Sequence, residues 1–256
     1  MSNLARQRDS GFSLTEVMLA VGTLAVGMIF IGGTFMAGIL LTTVSSERTT
    51  AATAAEEALA KVRLYGIDLN DRNLFFNRNA FFETVSQYPV DPNELTYPST
   101  RTLADKQYFW SGLCRRSGAS SVEVTIFISR KVGSGSMYWM RDSIFQPGLL
   151  QYPVPRPVLV PVLQHPLRHK SDELQIAVPA GSPEERFIKG GSVILDDRTG
   201  RIYQVLERYD NTAPDTIIRL KSRWVGLATG WVWVVPPPVA GGRAPCIAVY
   251  QKEMRF

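Results

Sequence analysis

The chain has 256 residues, 45% of them hydrophobic and 20% charged, with a formal net charge of +5. That balance is a folded protein's and excludes a wholly disordered chain. Two cysteines and two histidines exclude a disulfide-dense scaffold and a four-cysteine zinc site, and leave little material for histidine-based triads.

Charge is segregated along the sequence. Residues 1–11 are polar and carry Arg6, Arg8 and Asp9, whereas no charged residue occurs from Val17 to Ser46. Val17 to Leu41 is an apolar run of 25 residues. As a helix it would be roughly 37 Å long, enough to cross a hydrocarbon core of about 30 Å. The run is too long for the apolar region of a secretory signal, which spans only about 7–15 residues. Arg6 and Arg8 before the span place the leader in the cytoplasm and the body outside.

Glu16 stands at the edge of this run, where almost any other side chain would be tolerated better. A carboxylate deep in a membrane helix costs about 2.5–3.5 kcal/mol on insertion scales. In the first helical turn, by contrast, the helix dipole favours a negative charge. The first proline is Pro89, and Val44, Ala51, Ala55, Leu59 and Val62 continue a narrow apolar stripe at helical spacing. Glu57 and Lys61 form an i, i+4 pair on the polar side. The pattern predicts one helix over residues 12–64, with 17–41 in the membrane.

Gly11-Phe12-Ser13-Leu14-Thr15-Glu16, between a short basic leader and a long uncharged helix, resembles the prepilin signal of type IV pilins and type II secretion pseudopilins. The family more often has Ile, Leu or Val where Thr15 stands. The resemblance covers residues 1–64. It implies that a prepilin peptidase cuts after Gly11 and N-methylates Phe12. It also implies that Glu16 pairs with the positive N-terminus of a neighbouring subunit during assembly. The partners it implies are the peptidase, other pilin or pseudopilin subunits and the bacterial inner membrane, with the head periplasmic. Gly27-Met28 and Ala55 to Arg63 look like the minor subunits called the V type in pili and the I type in secretion.

Residues 65–121 read as a connector, with short packing segments at Phe75-Phe76 and Phe81-Phe82 and with Pro89, Pro92 and Pro98. Residues 122–256 read as a β-rich head. Val122, Val124, Ile126 and Ile128 alternate with Glu123, Thr125, Phe127 and Ser129 as a strand, and Met137 to Ile144 can return as a second. Pro147 to Pro166 holds six prolines, which predicts an edge or an extended loop rather than a central strand. Further strands are predicted at 174–178, 192–196, 201–207, 216–221, 231–235 and 246–251, with Asp197-Arg198-Thr199-Gly200 as a hairpin turn. The predicted fold class is α+β: a long N-terminal transmembrane and amphipathic helix packed on an antiparallel sheet, in a pilin-like arrangement.

Catalytic chemistry is not evident, and no enzyme, metal or cofactor is expected. His165 and His169 have ligand spacing, but Pro166 lies between them and opposes the helix this would need. Asp196, Asp197, Asp210, Asn211 and Asp215 offer oxygens to calcium or are simply turn acids; EF-hand spacing is absent. The basic residues are scattered, with Arg115-Arg116 and Arg130-Lys131 the densest pairs, so nucleic acid is not an expected partner. Cys114 and Cys246 lie in an oxidising compartment by the orientation argument, and are either one intramolecular bridge or two buried thiols. The expected function is that of a minor pilin or pseudopilin, a structural subunit of a type IV pilus or type II secretion pseudopilus. The alternative is a single-pass anchored periplasmic binding module or enzyme.

Overall fold

A computed structural model describes residues 12–75, 78–99, 107–133, 135–141, 149–164, 170–179, 181–210 and 216–256. The chain divides into two units, Met1–Glu47 and Arg48–Phe256. The helices are α1 (Leu14–Tyr65), α2 (Arg72–Phe75) and α3 (Phe82–Val85). The strands are β1 (Ala80–Phe81), β2 (Thr96–Tyr97), β3 (Tyr108–Arg116), β4 (Ser121–Arg130), β5 (Tyr138–Met140), β6 (Leu150–Tyr152), β7 (Val158–Leu163), β8 (Glu173–Ile176), β9 (Val193–Asp196), β10 (Ile202–Asp210), β11 (Thr216–Leu220), β12 (Thr229–Val234) and β13 (Cys246–Arg255).

In the first unit, every residue from Phe12 to Glu16, through the apolar run and on to Thr43, is exposed. The hydroxyls in this stretch turn back on the helix backbone. Thr23 donates to the Ala20 carbonyl at 2.9 Å, Thr34 to Ile31 at 2.9 Å and Thr42 to Gly38 at 2.8 Å. Such internal bonds let a hydroxyl sit on an otherwise apolar helix surface.

In the second unit, the last part of α1 buries Ala51, Ala54, Ala55, Ala58, Leu59 and Val62. Spacings of three and four put them on one face, and the alanines let the helix lie close to what it covers. That face meets Trp110, Cys114, Val122, Val124, Ile126, Ile128 and Met254 of an antiparallel sheet ordered β1-β3-β4-β13, with β2 also paired to β3. Fully burying a residue such as Leu59 or Val62 contributes about 1.5–3 kcal/mol. Lys61 closes the edge of this contact. Its ammonium lies 3.1 Å from Glu57 and 3.0 Å from Glu94, and donates to the Glu94 carbonyl at 2.8 Å. The helix stops at Gly66, whose φ of 72° suits glycine and whose N–H donates to the Val62 carbonyl at 3.0 Å.

The other face of the sheet is covered by a closed antiparallel barrel, β10-β11-β8-β7-β12-β9. Leu113, Phe127 and Val249 of the sheet meet Leu159, Leu195 and Trp233 on the barrel's outer surface. Val158, Val160, Val162, Leu174, Ile176, Ile194, Tyr203, Val205, Ile218, Leu220, Val232 and Val234 fill the barrel interior with period-two alternation.

The α+β class holds, with the barrel as an additional layer. The sheet begins before residue 122: β1 and β3 lie within 65–121, the stretch read as a connector. β3 (Tyr108–Arg116) has six consecutive buried residues, Phe109 to Cys114, so no alternation marks it. Within Met137 to Ile144 the described residues form β5, which pairs not with β4 but with β6. The proline-rich stretch also contains a strand with two neighbours, since β7 pairs with both β12 and β8. Pro161 is tolerated because its carbonyl side faces the end of β8, where Ala177 donates to it at 2.9 Å. Its missing N–H falls just beyond that ladder.

The hairpin between β9 and β10 fastens barrel to sheet. Gly200 has a φ of 69°, and a Cβ there would lie 2.5 Å from Nη2 of Arg115 and 2.8 Å from Oε2 of Glu123. Its carbonyl accepts from Gln251 of β13 at 2.9 Å. Gly200→Ala is expected to lower the unfolding free energy by at least about 1–2 kcal/mol through the left-handed backbone alone. Denaturant melts of the wild-type and variant proteins would measure this.

Candidate functional site

The start of α1 is built by Ser13. Its carbonyl accepts from the N–H groups of Glu16 and Val17 at 3.0 and 3.2 Å, and its hydroxyl oxygen also accepts from the Glu16 N–H at 3.3 Å. Ser13-Leu14-Thr15-Glu16 has the spacing of a capping box, in which Ser is the cap and Glu the third helical residue. Such a cap contributes about 1 kcal/mol, and the dipole adds to it for a carboxylate in the first turn. Sequence reasoning singled out Glu16 and missed Ser13, although S-x-x-E before an apolar run is a recognised helix-start signal. No described residue pairs with the Glu16 carboxylate, which is exposed, and Phe12 is 83% exposed. Gly11 and the leader arginines lie outside the described residues.

Downstream of this cap, α1 is the one described helix long and apolar enough to cross a membrane, and its most apolar window is 0% buried. The expected 12–64 helix is observed as Leu14–Tyr65. The chemistry available here is a helix start with an exposed carboxylate on a surface that lipid or apolar helices can cover.

The two cysteines are free. Cys114 is opposite Val124 on β4 and Cys246 is opposite Ser129, so the strands holding them flank β4 on its two sides. Two strand spacings of about 4.8 Å and five residues at about 3.4 Å each put the Cα atoms about 20 Å apart. A bridge needs them within roughly 7 Å. The odd offset also puts them on opposite faces, Cys114 toward α1 and Cys246 toward the barrel. The bridge between Cys114 and Cys246 is therefore not formed. Burial raises both thiols well above their ordinary range, with Cys246 pushed up to about 12.

The acids considered for calcium have other work. Asp196 accepts from the N–H of Arg198 at 3.2 Å and of Thr199 at 3.3 Å, and from the Thr199 hydroxyl, as a hairpin turn acid. Asp197 is buried between the layers. Its Oδ1 accepts from Nε1 of Trp233 at 2.7 Å and from the N–H of Asn79 at 3.2 Å, and its carbonyl accepts from Nδ2 of Asn79 at 2.8 Å. Burial raises its pKa, although these bonds and Arg78 oppose the rise. Nothing in the sequence pairs Asn79 with Asp197. His165, His169, Asn211 and Asp215 lie outside the described residues, as does the side chain of Asp210. Among the described residues, no group of three or more His, Cys, Asp or Glu is placed to hold a metal.

In comparisons with known proteins, no family model, no curated protein and no solved structure matches the chain.

Two outcomes follow. Denatured, unreduced protein is expected to label at both thiols, and native protein at no more than one because Cys114 is inaccessible; thiol titration would check this. Asp197→Asn keeps the Oδ1 acceptor but cannot titrate. Because the folded state raises the Asp197 pKa, wild type loses stability relative to the variant as pH rises from the unfolded pKa through the raised one. Melts across acid to neutral pH are expected to show that divergence.

Proposed function

We propose that the chain is a minor pilin or pseudopilin, a structural subunit of a type IV pilus or type II secretion pseudopilus. The observation that supports this best is the unbroken α1, exposed and apolar over its first part and built into a folded head over its last. An apolar surface that long needs lipid or neighbouring helices around it. In this reading, prepilin peptidase cleaves after Gly11 and methylates Phe12 while the span 17–41 holds the protein in the bacterial inner membrane with its head periplasmic. The mature subunit then leaves the membrane for the filament. Its Glu16 carboxylate meets the N-terminal ammonium of a neighbour in an apolar bundle, where leaving either charge unpaired costs about 3–5 kcal/mol. That cost fixes the stagger between subunits. The role is structural, without catalysis.

The cap at Ser13 favours a second reading. It gives Glu16 a local helix-start role sufficient for a single-pass anchor carrying a periplasmic binding module or enzyme.

The intact mass of the protein from its native membrane separates the two. Methylated Phe12 at the N-terminus is expected, and a retained leader would point to the anchor. Gly11→Val should block cleavage and leave full-length precursor in the membrane. Glu16→Gln tests the carboxylate itself, because Gln serves a capping box as well as Glu but carries no charge. Processing should be normal and incorporation into the filament should fall at least about tenfold, as expected for loss of a buried charge pair. Unchanged incorporation would leave Glu16 as a capping residue only.

A further inference from the structure

The sheet and barrel do not close on each other completely. At one end of their contact lies a cleft of about 1230 Å³, lined among the described residues by Arg78, Arg115, Arg116, Arg141, Arg198 and a single carboxylate, Asp197. Asp197 is already committed to Trp233 and Asn79. Two of the guanidinium groups are neutralised in place, Arg115 by Glu123 and Arg141 by Glu184. Of the other three, Arg78 acts electrostatically on Asp197, and Arg116 and Arg198 have no carboxylate among the described residues. Arg116 is held by the carbonyls of Gly118 at 3.0 Å and Ala119 at 3.1 Å and lies 5.2 Å over the Phe75 ring, so it is fixed without being neutralised. Arg78 and Arg198 are exposed, and their side chains make no hydrogen bond or ion pair with a described residue. Three guanidinium groups, against the one buried carboxylate of Asp197, thus converge on one recess.

The recess also presents open strand backbone. β12 pairs with β7 along its whole length but with β9 only from Val232 to Val234. The Trp231 carbonyl points to the β9 side, where Asp197 donates to it at 3.0 Å. Thr229, two residues away, directs its N–H and C=O the same way. No described residue meets them, and Thr229 lines the cleft. Beside it, Trp231 is 37% exposed.

We propose that this cleft binds an acidic segment of a partner polypeptide in extended conformation. The open backbone at Thr229 pairs with the peptide main chain, and Arg78, Arg116 and Arg198 take carboxylates that an extended chain presents on alternate residues. Apolar residues between them lie against Trp231. Single-stranded nucleic acid fits less well. It needs a succession of exposed stacking faces along a basic track, and Trp233, the next outward-facing tryptophan on β12, is only 3% exposed.

The test uses the full chain in detergent and a fluorescein-labelled peptide of alternating Glu and Val, with binding read by anisotropy. Arg78→Glu/Arg198→Glu is expected to weaken binding at least about tenfold, and rising salt to weaken the wild type toward the variant. Arg78→Gln/Arg198→Gln should be intermediate, which separates lost charge from damage to the fold. Arg243→Glu, on an exposed loop, should bind as wild type. A peptide with Ser in place of Glu should not bind. Equal affinity in wild type and the doubly charge-reversed variant would overturn the proposal. So would a single-stranded oligonucleotide that displaces the peptide and binds more tightly with the same dependence on Arg78 and Arg198.

Discussion

Burial of both faces of β4 organises the head. Its even-numbered residues, Val122 to Ile128, are covered by the alanine-rich end of α1, and its odd-numbered Phe127 by the outer wall of the barrel. A strand buried on both faces tolerates polar groups only where they find partners. Thr125 is 1% exposed and accepts from Gln251 at 3.1 Å. The Asp197–Asn79–Trp233 contact follows the same rule at the edge of the layer contact, where a buried carboxyl accepts two hydrogen bonds and its backbone carbonyl a third. Removing either cover would expose buried apolar side chains of the sheet, so helix, sheet and barrel support one another.

This arrangement also explains what could be read from the residues and what could not. α1 was legible almost to its ends because its signals are local: an uncharged run, no proline and a stripe at helical spacing. β4 and the strands at β8 to β13 were legible through alternation or turn residues such as Asp197 to Gly200. β3 was not, because a strand apolar on both faces has lost its period. β7 was hidden for a different reason. A proline forbids a ladder bond only on the side its nitrogen faces, and whether a donor is needed on that side depends on where β8 ends. The barrel's closure depends on three pairings between strands that are not consecutive, β8–β11, β7–β12 and β9–β12, and no local pattern specifies them.

The candidate sites divide in the same way. Glu16 stood out as a carboxylate at the edge of a long apolar run, and its cap at Ser13 was equally local. The cysteine pair could not be resolved, since the spacing of Cys114 and Cys246 in the chain carries no information about the β4 strand that separates them. The arginines of the cleft look scattered in the sequence. They converge only because β3, the turn after β9 and the segment before β1 meet at one corner of the layer contact.

The placement of the barrel has a consequence for how the chain reaches this state. Arg130 ends β4 and Cys246 begins its neighbour β13, and the barrel strands all lie between them. The barrel is therefore an insertion into a two-strand pairing. Joining β4 to β13 across an unstructured loop of that length carries a large closure entropy. Barrel hairpins such as β9–β10 and β10–β11 close much shorter loops and form faster. Once the barrel has closed, the loop between β4 and β13 is largely spanned by a rigid body. The late, long-range pairing then becomes a short one, and the inserted domain serves as a folding clamp for the sheet that holds it.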